Sequence, residues 1–487
     1  MMKRRTLLTT AITGAVAGAA TSALPSATAS ATAGTTASRA DVAPRLSVSP
    51  IGSTRLDDRA LYFVSYDGLV NNNSFQKNGL FTHGGHQYVA WYTASRHAVV
   101  ARRPLGADAW ESVTLPHQLR YDDSHNVICL GVSETDGRLH LVMDAHSDGF
   151  TYVKSQAGLM HDPAGTAWSG ERFGAPQPGL DGLVPTDRFT YPQFVVTPEG
   201  LLQLSYRAGV SGDGRNGLAE YDGSAWALLG EWSGSTGTYA TEHGSSSARN
   251  MYLHGIDYDH TGRLHAFFTW RERDGAVMCD GGGLSNHDTG YVYSTDRGRT
   301  WRNDAGAVVG TTGGDPVGVN DPGLVVDPLN ADHSLMNQES QFTDSAGLPH
   351  AVISYVPGRF GQCTTDYVAD RRANGRAFHL RRDADGGWTK TEIPVPLGSS
   401  QRTKLVLDAA DNAYAVLPFG RIAGASRASG HTDWALLYDG ADLNAFGEVV
   451  IDETRVRTDN VLSFLYQERS QGTTPSPLHV VDFQLGG

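Results

Sequence analysis

A turn followed by a short apolar strand recurs along the chain, and this repeat constrains the fold more than any other feature. The seven copies are HGGHQYVAWY from His83, DGRLHLVMDA from Asp136, EGLLQLSYRA from Glu199, TGRLHAFFTW from Thr261, AGLPHAVISY from Ala346, DNAYAVLPFG from Asp411 and SPLHVVDFQL from Ser476. Most copies lie about sixty residues apart, which is typical of a repeated supersecondary unit. A chain of 487 residues is also longer than one hydrophobic core supports. The repeat therefore predicts similar units with a core distributed among them.

Each copy is flanked by further strand-like runs, with Gly, Asp and Asn at the breaks and no convincing amphipathic helix between them. About four short antiparallel strands per unit, repeated radially, predict an all-β, seven-bladed β-propeller. The last copy ends near the C-terminus, while the strand-like runs RLSVSPIGS and LYFVSYDG lie at residues 45–53 and 61–68. We therefore expect the N- and C-terminal strands to pair, complete one blade and hide its edges.

One turn motif agrees with this fold. Residues 294–301, STDRGRTW, match the Ser-x-Asp-x-Gly-x-x-Trp pattern of the Asp box, or BNR repeat. Its Asp can accept hydrogen bonds from backbone amides of the hairpin, while its Trp packs between strands. Because the motif occurs in many propellers, it supports the fold and says little about chemistry.

The N-terminus predicts export. Residues 1–31 have a basic start, an apolar middle and small-residue cleavage options, as in a signal peptide. The pair Arg4-Arg5 followed by Thr-Leu-Leu favours the twin-arginine route over an ordinary secretory signal. Residues 32–44 are then a flexible leader and residues 45–487 a single propeller domain. We expect a secreted protein.

Net charge limits the possible binding partners, and the number of cysteines limits the possible disulfide and metal sites. The formal net charge is −13, and removal of Lys3, Arg4 and Arg5 with the signal makes the mature protein more acidic, so nucleic acid is excluded as a partner. No internal segment has the apolar length of a membrane span. Three cysteines are too few for a disulfide framework, although one disulfide or metal ligation is possible. Cys129 lies in an apolar strand and is interpreted as a small core residue.

Two pairs of polar residues lie at matching places in neighbouring units. His125 precedes a predicted inner strand and His146 ends the next one, so a hairpin would bring both imidazoles to one rim. In the following unit, Tyr191 and Arg207 repeat this arrangement. Because loops of inner strands converge on the axis of a propeller, the four side chains are predicted to share one site.

The sequence resembles the BNR-4 propellers that include ulvan lyases and L-rhamnose-α-1,4-D-glucuronate lyases. The resemblance covers nearly all of the chain after residue 44. It rests on the order and spacing of Ser124-His125-Asn126, the strand ending at His146, Thr190-Tyr191-Pro192, Tyr206-Arg207-Ala-Gly, Trp270-Arg271-Glu272 and Asn286-His287-Asp288.

This resemblance implies β-elimination at a uronic acid that is linked through O4 to rhamnose. Such chemistry requires a base for the C5 proton, neutralisation of the carboxylate and an acid at the leaving oxygen. His125 suits the role of the base, and Arg207 can neutralise the substrate carboxylate. Tyr191 suits the role of the acid, especially if Arg207 lowers the pKa of its phenol. His146 is assigned to carboxylate binding or a shared acid and base role. The division between His125 and Tyr191 stays open, because it depends on the stereochemistry at C5.

Further residues are candidates for substrate and metal binding. Asn126, Arg249 and Arg271 are candidates for substrate binding, with Arg402 as a further cation near the substrate, although surface salt bridges explain such arginines nearly as well. Relatives carry a structural zinc bound by His and Cys, so the resemblance implies His287, Cys363 and His379 as zinc ligands, with Cys279 nearby in sequence. The alternative is a buried Cys and two unrelated histidines.

Two other functions remain open on the sequence. The Asp box also occurs in sialidases, but the sequence shows no arginine triad and no Glu partner for Tyr191, as such hydrolases require. A secreted propeller that binds carbohydrate without catalysis is the other alternative. For the lyase, the expected partner is an acidic, uronate-containing polysaccharide of ulvan or rhamnosyl-glucuronate type, and the expected state is a monomer without an organic cofactor.

Overall fold

Most of the regular secondary structure in the described part of the chain is β-strand. The computed structural model describes residues 45–487, so the predicted signal peptide and leader lie outside the described residues. The strands of the first half are β1 (Ser47–Ala60), β2 (Leu80–His83), β3 (His86–Tyr92), β4 (His97–Pro104), β5 (Glu111–Gln118), β6 (Cys129–Ser133), β7 (Arg138–Met143), β8 (His146–Asp148), β9 (Thr151–Lys154), β10 (Phe189–Val196), β11 (Leu202–Val210), β12 (Asp213–Tyr221) and β13 (Trp226–Glu231).

The second half continues in the same way. Its strands are β14 (Thr236–Ala240), β15 (Ser245–Tyr258), β16 (Leu264–Glu272), β17 (Asn286–Ser294), β18 (Thr300–Arg302), β19 (Val308–Thr311), β20 (Val325–Asp327), β21 (Ser340–Thr343), β22 (Pro349–Tyr355), β23 (Arg376–Arg382), β24 (Trp388–Ile393), β25 (Lys404–Leu407), β26 (Ala413–Leu417), β27 (Arg421–Ala425), β28 (Ala435–Tyr438), β29 (Val450–Ile451), β30 (Val461–Gln467) and β31 (Ser476–Gly486).

Helices are short and few within these residues. The α-helices are α1 (Tyr367–Asn374) and α2 (Glu453–Asp459). The three-residue 3-10 helices are Gly170–Arg172, Gly275–Val277, Ala331–His333, Pro418–Gly420, Arg427–Ser429 and Ala441–Leu443. No helix in the described part of the chain has the length and apolar character needed to cross a bilayer.

Residues 45–487 form seven antiparallel sheets of unequal size. Strands β2–β5, β21–β24 and β25–β28 make three sheets of four strands, each in chain order. Strands β6, β7 and β9 form a sheet of three, while β8 crosses over to join β10–β13. Strands β14–β20 form the largest sheet, and β1 pairs with β31 in a sheet that also contains β30 and β29. The expected four strands per unit therefore hold for only some of the sheets.

Burial explains why the sequence of the middle strands reads as unbroken apolar runs. Strands β3 (HQYVAWY) and β22 (PHAVISY) are buried at every position, because neighbouring sheets cover both of their faces. The last strand of the first four-stranded sheet, β5, instead alternates between exposed and buried residues through most of its length. This contrast is the one expected for inner and outer strands of stacked sheets.

One strand of each sheet lies beside a strand of the next sheet, in cyclic order. Strand β6 contacts β10, β10 contacts β15, β15 contacts β21, β21 contacts β25, and β2 contacts β29. Phe81 of β2 and Leu130 of β6 belong to one apolar cluster, and α2 contacts both β2 and β25. A cyclic arrangement of antiparallel sheets with cores between them is a β-propeller. The prediction of an all-β propeller is confirmed.

The Asp box forms the turn that its sequence predicts. The Asp296 carboxylate accepts hydrogen bonds from the Ser294 hydroxyl (2.7 Å) and the Thr300 backbone amide (2.8 Å). Trp301 is fully buried and stacks on Trp232 with ring centroids 4.1 Å apart. The motif thus ties the β17–β18 turn to the neighbouring sheet.

Candidate active site

A cavity of about 500 Å³ opens where loops of several sheets meet. Its walls contain titratable, aromatic and cationic side chains, which are Tyr66, Asp67, His125, His146, Tyr191, Tyr252, Arg271, Tyr367, Arg402 and Glu448. The volume lies within the range of about 300–1,000 Å³ that is usual for small-molecule sites. We call this space the main cavity. Five residues predicted from the sequence lie in its wall, namely His125, His146, Tyr191, Arg271 and Arg402.

One carboxylate holds both histidines. The Asp123 Oδ1 atom lies 2.8 Å from Nδ1 of His125, and its Oδ2 atom lies 2.5 Å from Nδ1 of His146. Because an ionised carboxylate only accepts hydrogen bonds, each imidazole donates through Nδ1 and keeps the lone pair on Nε2. The two rings stack with centroids 4.1 Å apart. The arrangement thus presents two imidazoles of fixed tautomer.

The chain brings His146 to the site by leaving its sheet. Strand β7 ends at Met143, and the left-handed residues Asp144 (φ 56°) and Ser147 (φ 52°) then redirect the backbone. His146 begins β8, which pairs with Thr190 of the next sheet instead of with β6, the strand that follows His125. The predicted hairpin is therefore present as β6 and β7, in which Cys129 pairs with Val142, and the predicted proximity of the two histidines is correct, but His146 lies beyond the end of this hairpin.

The environment of His125 favours the neutral imidazole. The ring is buried, stacks on Phe75 with centroids 5.3 Å apart and meets the edge of Tyr66 at 4.6 Å. Burial lowers the pKa of His125 to about 4, although the hydrogen bond to Asp123 opposes this shift. Burial alone would raise the pKa of Asp123, but the hydrogen bonds from both histidines outweigh it and hold that pKa well below its usual range.

Tyr191 reaches the main cavity through an irregularity in β10. Its backbone is left-handed (φ 56°), and the register between β10 and β11 shifts between Thr190 and Gln193. The phenol ring lies 5.8 Å from the His125 ring between centroids. A left-handed conformation is strained for a bulky residue, so the backbone here is bent to direct this side chain.

Arg207 supports Tyr191 from behind. Its guanidinium lies 4.8 Å from the centre of the Tyr191 ring, and its Nη2 atom donates to Thr190 Oγ1 at 2.9 Å and to Ser147 Oγ at 3.1 Å. The side chain is almost fully buried and is not part of the cavity wall. The predicted proximity of Tyr191 and Arg207 is correct, but the position of Arg207 suits support of the phenol better than contact with a substrate.

The ionisation of the two buried phenols follows from this arrangement. Burial raises the pKa of Tyr191 well above its usual range, and the positive charges of Arg207 and Arg402 offset this only in part. The expectation that Arg207 would bring the Tyr191 pKa down is therefore outweighed by burial. Burial would also raise the pKa of Tyr252, but Arg207 and Arg271 hold it below its ordinary value. Tyr191 is thus a phenol that keeps its proton.

Two arginines line the main cavity. Arg402 forms an ion pair with Glu448 (3.0 Å) and donates to the backbone and side chain of Asn337. Arg271 forms no ion pair or side-chain hydrogen bond with any residue in 45–487. Its charge is therefore available to an anionic ligand in a way that the charge of Arg402 is not.

Two predicted substrate-binding residues lie elsewhere. Arg249 is fully buried and forms a two-point ion pair with Glu272 at 2.7 and 3.0 Å. Asn126 is buried beside His125, where its backbone amide closes the turn to Asp123. Neither side chain belongs to the wall of the main cavity, because strand pairing and turn formation direct them into the core.

The predicted zinc ligands are not brought together. Cys363 forms a disulfide with Cys279 across 84 residues and so offers no thiolate. The two ring nitrogens of His287 contact Glu272 (3.1 Å) and Asp288 (2.9 Å). His379 lies in a different sheet, where its Nε2 atom is 2.8 Å from Nδ1 of His350. The set of His287, Cys363 and His379 is therefore wrong as a zinc site, and these residues do not fit the metal.

A different group in residues 45–487 has the geometry to approach one cation. The ligand atoms of Asp123, His125 and His146 lie within 4.8 Å of one another. Their Nδ1 atoms already donate to the carboxylate, so a metal would have to replace both hydrogen bonds. The network is complete without an ion.

Sequence reasoning missed several residues of the site. Asp123 and the exposed Tyr66 were not predicted, nor was Tyr252, whose hydroxyl donates to Ser211 Oγ at 3.0 Å. A signal existed for Asp123, because an Asp two residues before a His can cap the turn, and its Oδ1 accepts the His125 backbone amide at 2.9 Å. No local pattern marks Tyr66 or Tyr252, which reach the site only through the arrangement of the sheets.

Comparisons with known proteins agree with this fold. The profile of the BNR_4 family, described as "BNR repeat-containing family member", matches residues 86–395. A protein of Alteromonas sp. (strain LOR) named "Ulvan lyase, long isoform" is 23% identical over 90% of this chain and 46% of its own length. The chain thus spans about half the length of this curated relative.

Two solved structures are similar across most of the chain. The polysaccharide lyase Uly1 superposes with a TM-score of 0.66 at 17% identity, covering 90% of this chain and 99% of its own. A PL25 ulvan lyase bound to GlcA(1-4)Rha3S superposes with a TM-score of 0.61 at 12% identity, covering 87% of this chain and 94% of its own. At these identities the likeness establishes the fold.

Proposed function

The chain belongs to the BNR_4 family of BNR repeat-containing proteins, and from this premise we propose that it is a secreted polysaccharide lyase. It cleaves by β-elimination the 4-O-linkage between rhamnose and a uronic acid, in ulvan or in a rhamnosyl-glucuronate polysaccharide, by breaking the C4–O4 bond of the uronate. The product carries a 4,5-unsaturated uronate. The names of the relatives support the substrate class, and the basic, apolar N-terminal segment supports export by the twin-arginine route.

One observation carries the proposal. The main cavity combines the imidazole pair fixed by Asp123, a protonated phenol and an unpaired guanidinium, supplied by His125, His146, Tyr191 and Arg271. These are the base, acid and cation that elimination next to a carboxylate requires.

His125 takes the C5 proton through Nε2. Asp123 fixes the proton of His125 on Nδ1, so the Nε2 lone pair is available. Because burial keeps the imidazole neutral near pH 7, no proton has to leave the base before catalysis. His146, held by the other oxygen of Asp123, binds the substrate beside it.

Tyr191 donates its phenolic proton to O4 as the bond between C4 and O4 breaks. The electrons of the C5–H bond form the C4=C5 double bond, and the leaving rhamnose departs as an alcohol. A raised pKa keeps the phenol protonated near neutral pH, which suits an acid rather than a base. Arg207 is a positioning residue, because it contacts the Tyr191 ring and Thr190 rather than the cavity.

Arg271 receives the uronate carboxylate. Negative charge builds on this group when C5 loses its proton, and a guanidinium can stabilise it with two parallel hydrogen bonds. The open position of Arg271 in the wall of the main cavity supports this role, which transfers to Arg271 the task predicted for Arg207.

The test is incubation of the protein with ulvan and with a rhamnose-capped arabinogalactan such as gum arabic. We expect ultraviolet absorbance of the unsaturated uronate and a matching product mass from one of the two. His125→Ala should abolish this product while the melting temperature stays unchanged. Products that lack the double bond would indicate hydrolysis, and binding without any product would indicate a carbohydrate-binding propeller.

We also propose that the propeller has seven blades and that pairing of its terminal strands closes it. The seven sheets within residues 45–487 support the count, and the antiparallel register from Ser47 with Gly486 to Ala60 with Ser476 supports the closure. Deletion of β31 should lower the melting temperature strongly. An unchanged melting temperature, or six blades in an experimental structure, would contradict the proposal.

A further inference from the structure

A second cavity, of about 410 Å³, shares a wall with the main cavity. Asp67, Ser400 and Gln401 line both spaces. The second space, which we call the adjacent cavity, is lined further by aromatic and cationic side chains, which are Tyr62, Arg372, Phe419, Phe446 and Arg469. A ligand longer than one sugar can therefore contact both cavities on either side of the shared wall.

Hydrogen bonds hold the shared wall in place. The hydroxyls of Tyr367 (3.1 Å) and Ser400 (3.3 Å) both donate to Oδ2 of Asp67, and the Gln401 side-chain amide donates to the Asp67 backbone carbonyl. Behind the wall, the fully buried Arg371 donates to the Ser400 carbonyl at 3.2 Å. The boundary between the cavities is thus a fixed feature of the fold.

The adjacent cavity offers two cations that lack carboxylate partners within residues 45–487. Arg372 is exposed and forms no side-chain hydrogen bond or ion pair there. Arg469 donates only through Nε, to the Ala445 carbonyl at 3.0 Å, and lies over the Phe419 ring at 4.4 Å. Its terminal nitrogens therefore remain available to a ligand. In a protein of net charge −13, two such unpaired cations favour an anion locally.

Aromatic side chains beside these cations suit the apolar face of a sugar. Tyr62 and Phe446 meet edge to face with centroids 5.9 Å apart, and Phe419 holds Arg469 in place. Rigid aromatic groups next to a guanidinium form a surface that is partly apolar and partly charged. An anionic sugar has these same two properties.

We propose that the adjacent cavity is a further subsite, which binds the carboxylate or sulfate ester of a sugar near the cleaved bond. This inference rests on the proposed lyase function and extends it to the recognition of a longer chain. Arg372 and Arg469 bind the anion, and the aromatic side chains contact the ring. The subsite holds polymeric substrate without contacting the reacting atoms.

The experiment compares wild type with Arg372→Ala, Arg469→Lys and the Arg372→Ala/Arg469→Ala double variant. Arg55→Ala is the matched control, because Arg55 is exposed and pairs with the exposed Asp58. Each protein is assayed on ulvan, on chemically desulfated ulvan and on the shortest oligosaccharide that the wild type cleaves. Because hydrogen bonds to charged groups are among the stronger ones, the double variant should raise KM for ulvan roughly tenfold or more. Its kcat, and its KM for the shortest oligosaccharide, should stay unchanged.

The outcomes separate this inference from the proposed function. A wild type that cleaves none of the substrates overturns the proposed function. An active wild type whose KM for ulvan is unaffected in the double variant, or whose KM changes equally for all lengths, overturns the subsite. A KM effect that disappears on desulfated ulvan identifies the sulfate as the ligand, and an effect that persists identifies the carboxylate. Arg372→Ala alone keeps the test decisive if the double variant is unstable, because the Arg372 side chain has no hydrogen-bond or ion-pair partner in residues 45–487.

Discussion

His125 and His146 bind opposite oxygens of a single carboxylate and stack with ring centroids 4.1 Å apart. The two residues come from different segments of the chain, and Asp123 is the group that joins them. This relationship makes the carboxylate as important to the proposed chemistry as the imidazoles that face the cavity.

Asp123→Asn tests this relationship. The amide keeps the shape of the side chain but carries no negative charge and has only one acceptor oxygen. It therefore no longer keeps the proton of both histidines on Nδ1. We expect kcat/KM to fall roughly 10–100-fold, as is common when a supporting hydrogen bond is lost. Asp122→Asn is the control, because this neighbour is exposed and pairs with Arg96. Wild-type activity in the Asp123 variant would mean that the carboxylate is not needed.

Tyr191→Phe removes one oxygen atom and leaves the ring in place. If Tyr191 is the acid, kcat should fall about 10²–10⁴-fold with little change in KM. Steady-state kinetics on the cleaved polysaccharide measure both constants. Tyr206→Phe is the control, since Tyr206 is also buried but does not line the main cavity. Equal losses in the two variants would point to packing rather than chemistry.

Arg271→Ala removes the unpaired cation of the main cavity. Loss of a group that stabilises developing charge typically costs about 10²–10³ in kcat, and we expect a loss of this size. Arg273→Ala serves for comparison, because Arg273 lies two residues further along, is exposed and pairs with Asp213. If Arg271→Ala raises only KM, then Arg271 binds the substrate without contributing to the chemical step.

Buried neutral histidines predict how stability depends on pH. Burial lowers the pKa of His125 to about 4 and that of His140 and His254 to about 3. Below about pH 6.5 the unfolded chain binds protons that the folded chain does not, so the free energy of unfolding falls as pH decreases towards 4. In this pH range, each of these histidines lowers the free energy of unfolding by about 1.4 kcal/mol for every pH unit of acidification.

Urea unfolding at about pH 7 and at about pH 5 measures this dependence. His254 is suited to the test, because its Nδ1 accepts the Glu339 backbone amide at 3.1 Å and a Gln side chain can do the same. The change in the free energy of unfolding per pH unit should be smaller in His254→Gln than in the wild type. It should be unchanged in His161→Gln, because the His161 ring is exposed. A pH-independent unfolding free energy would contradict the assignment of neutral imidazoles.

The disulfide predicts a thiol count. Of the three cysteines, Cys279 and Cys363 are joined and Cys129 is buried as a free thiol. Protein unfolded without reductant should therefore react with one equivalent of thiol reagent, and Cys129→Ala with none. Cys279→Ser/Cys363→Ser should lower stability by about 2–4 kcal/mol. Three reactive thiols would show that the two cysteines are not joined.

Features of the fold and the site that depend on a local sequence pattern could be predicted. Repeated turn and strand phrases predicted the propeller, and the matched places of Tyr191 and Arg207 predicted their contact. Features could not be predicted from the sequence where the backbone departs from a regular strand. Asp144 and Ser147 adopt left-handed conformations without being glycine, so nothing in the sequence shows that β8 joins the next sheet.

Long-range pairing was the other limit. Cys279 and Cys363 are 84 residues apart, and cysteine is compatible with either a disulfide or a metal. Residue type alone left both open, and the family resemblance favoured the wrong partner. Arg249 likewise looked available for a substrate, because its partner Glu272 is identified only by the pairing of β15 with β16.

The pairing of β1 with β31 has a consequence for how the protein is made. The first strand of the propeller finds its neighbour only after more than four hundred further residues have been synthesised. Until then its edge is available to any other strand, and contacts so distant in sequence form slowly. Assembly of this sheet is therefore the step at which a nascent chain is most exposed to aggregation.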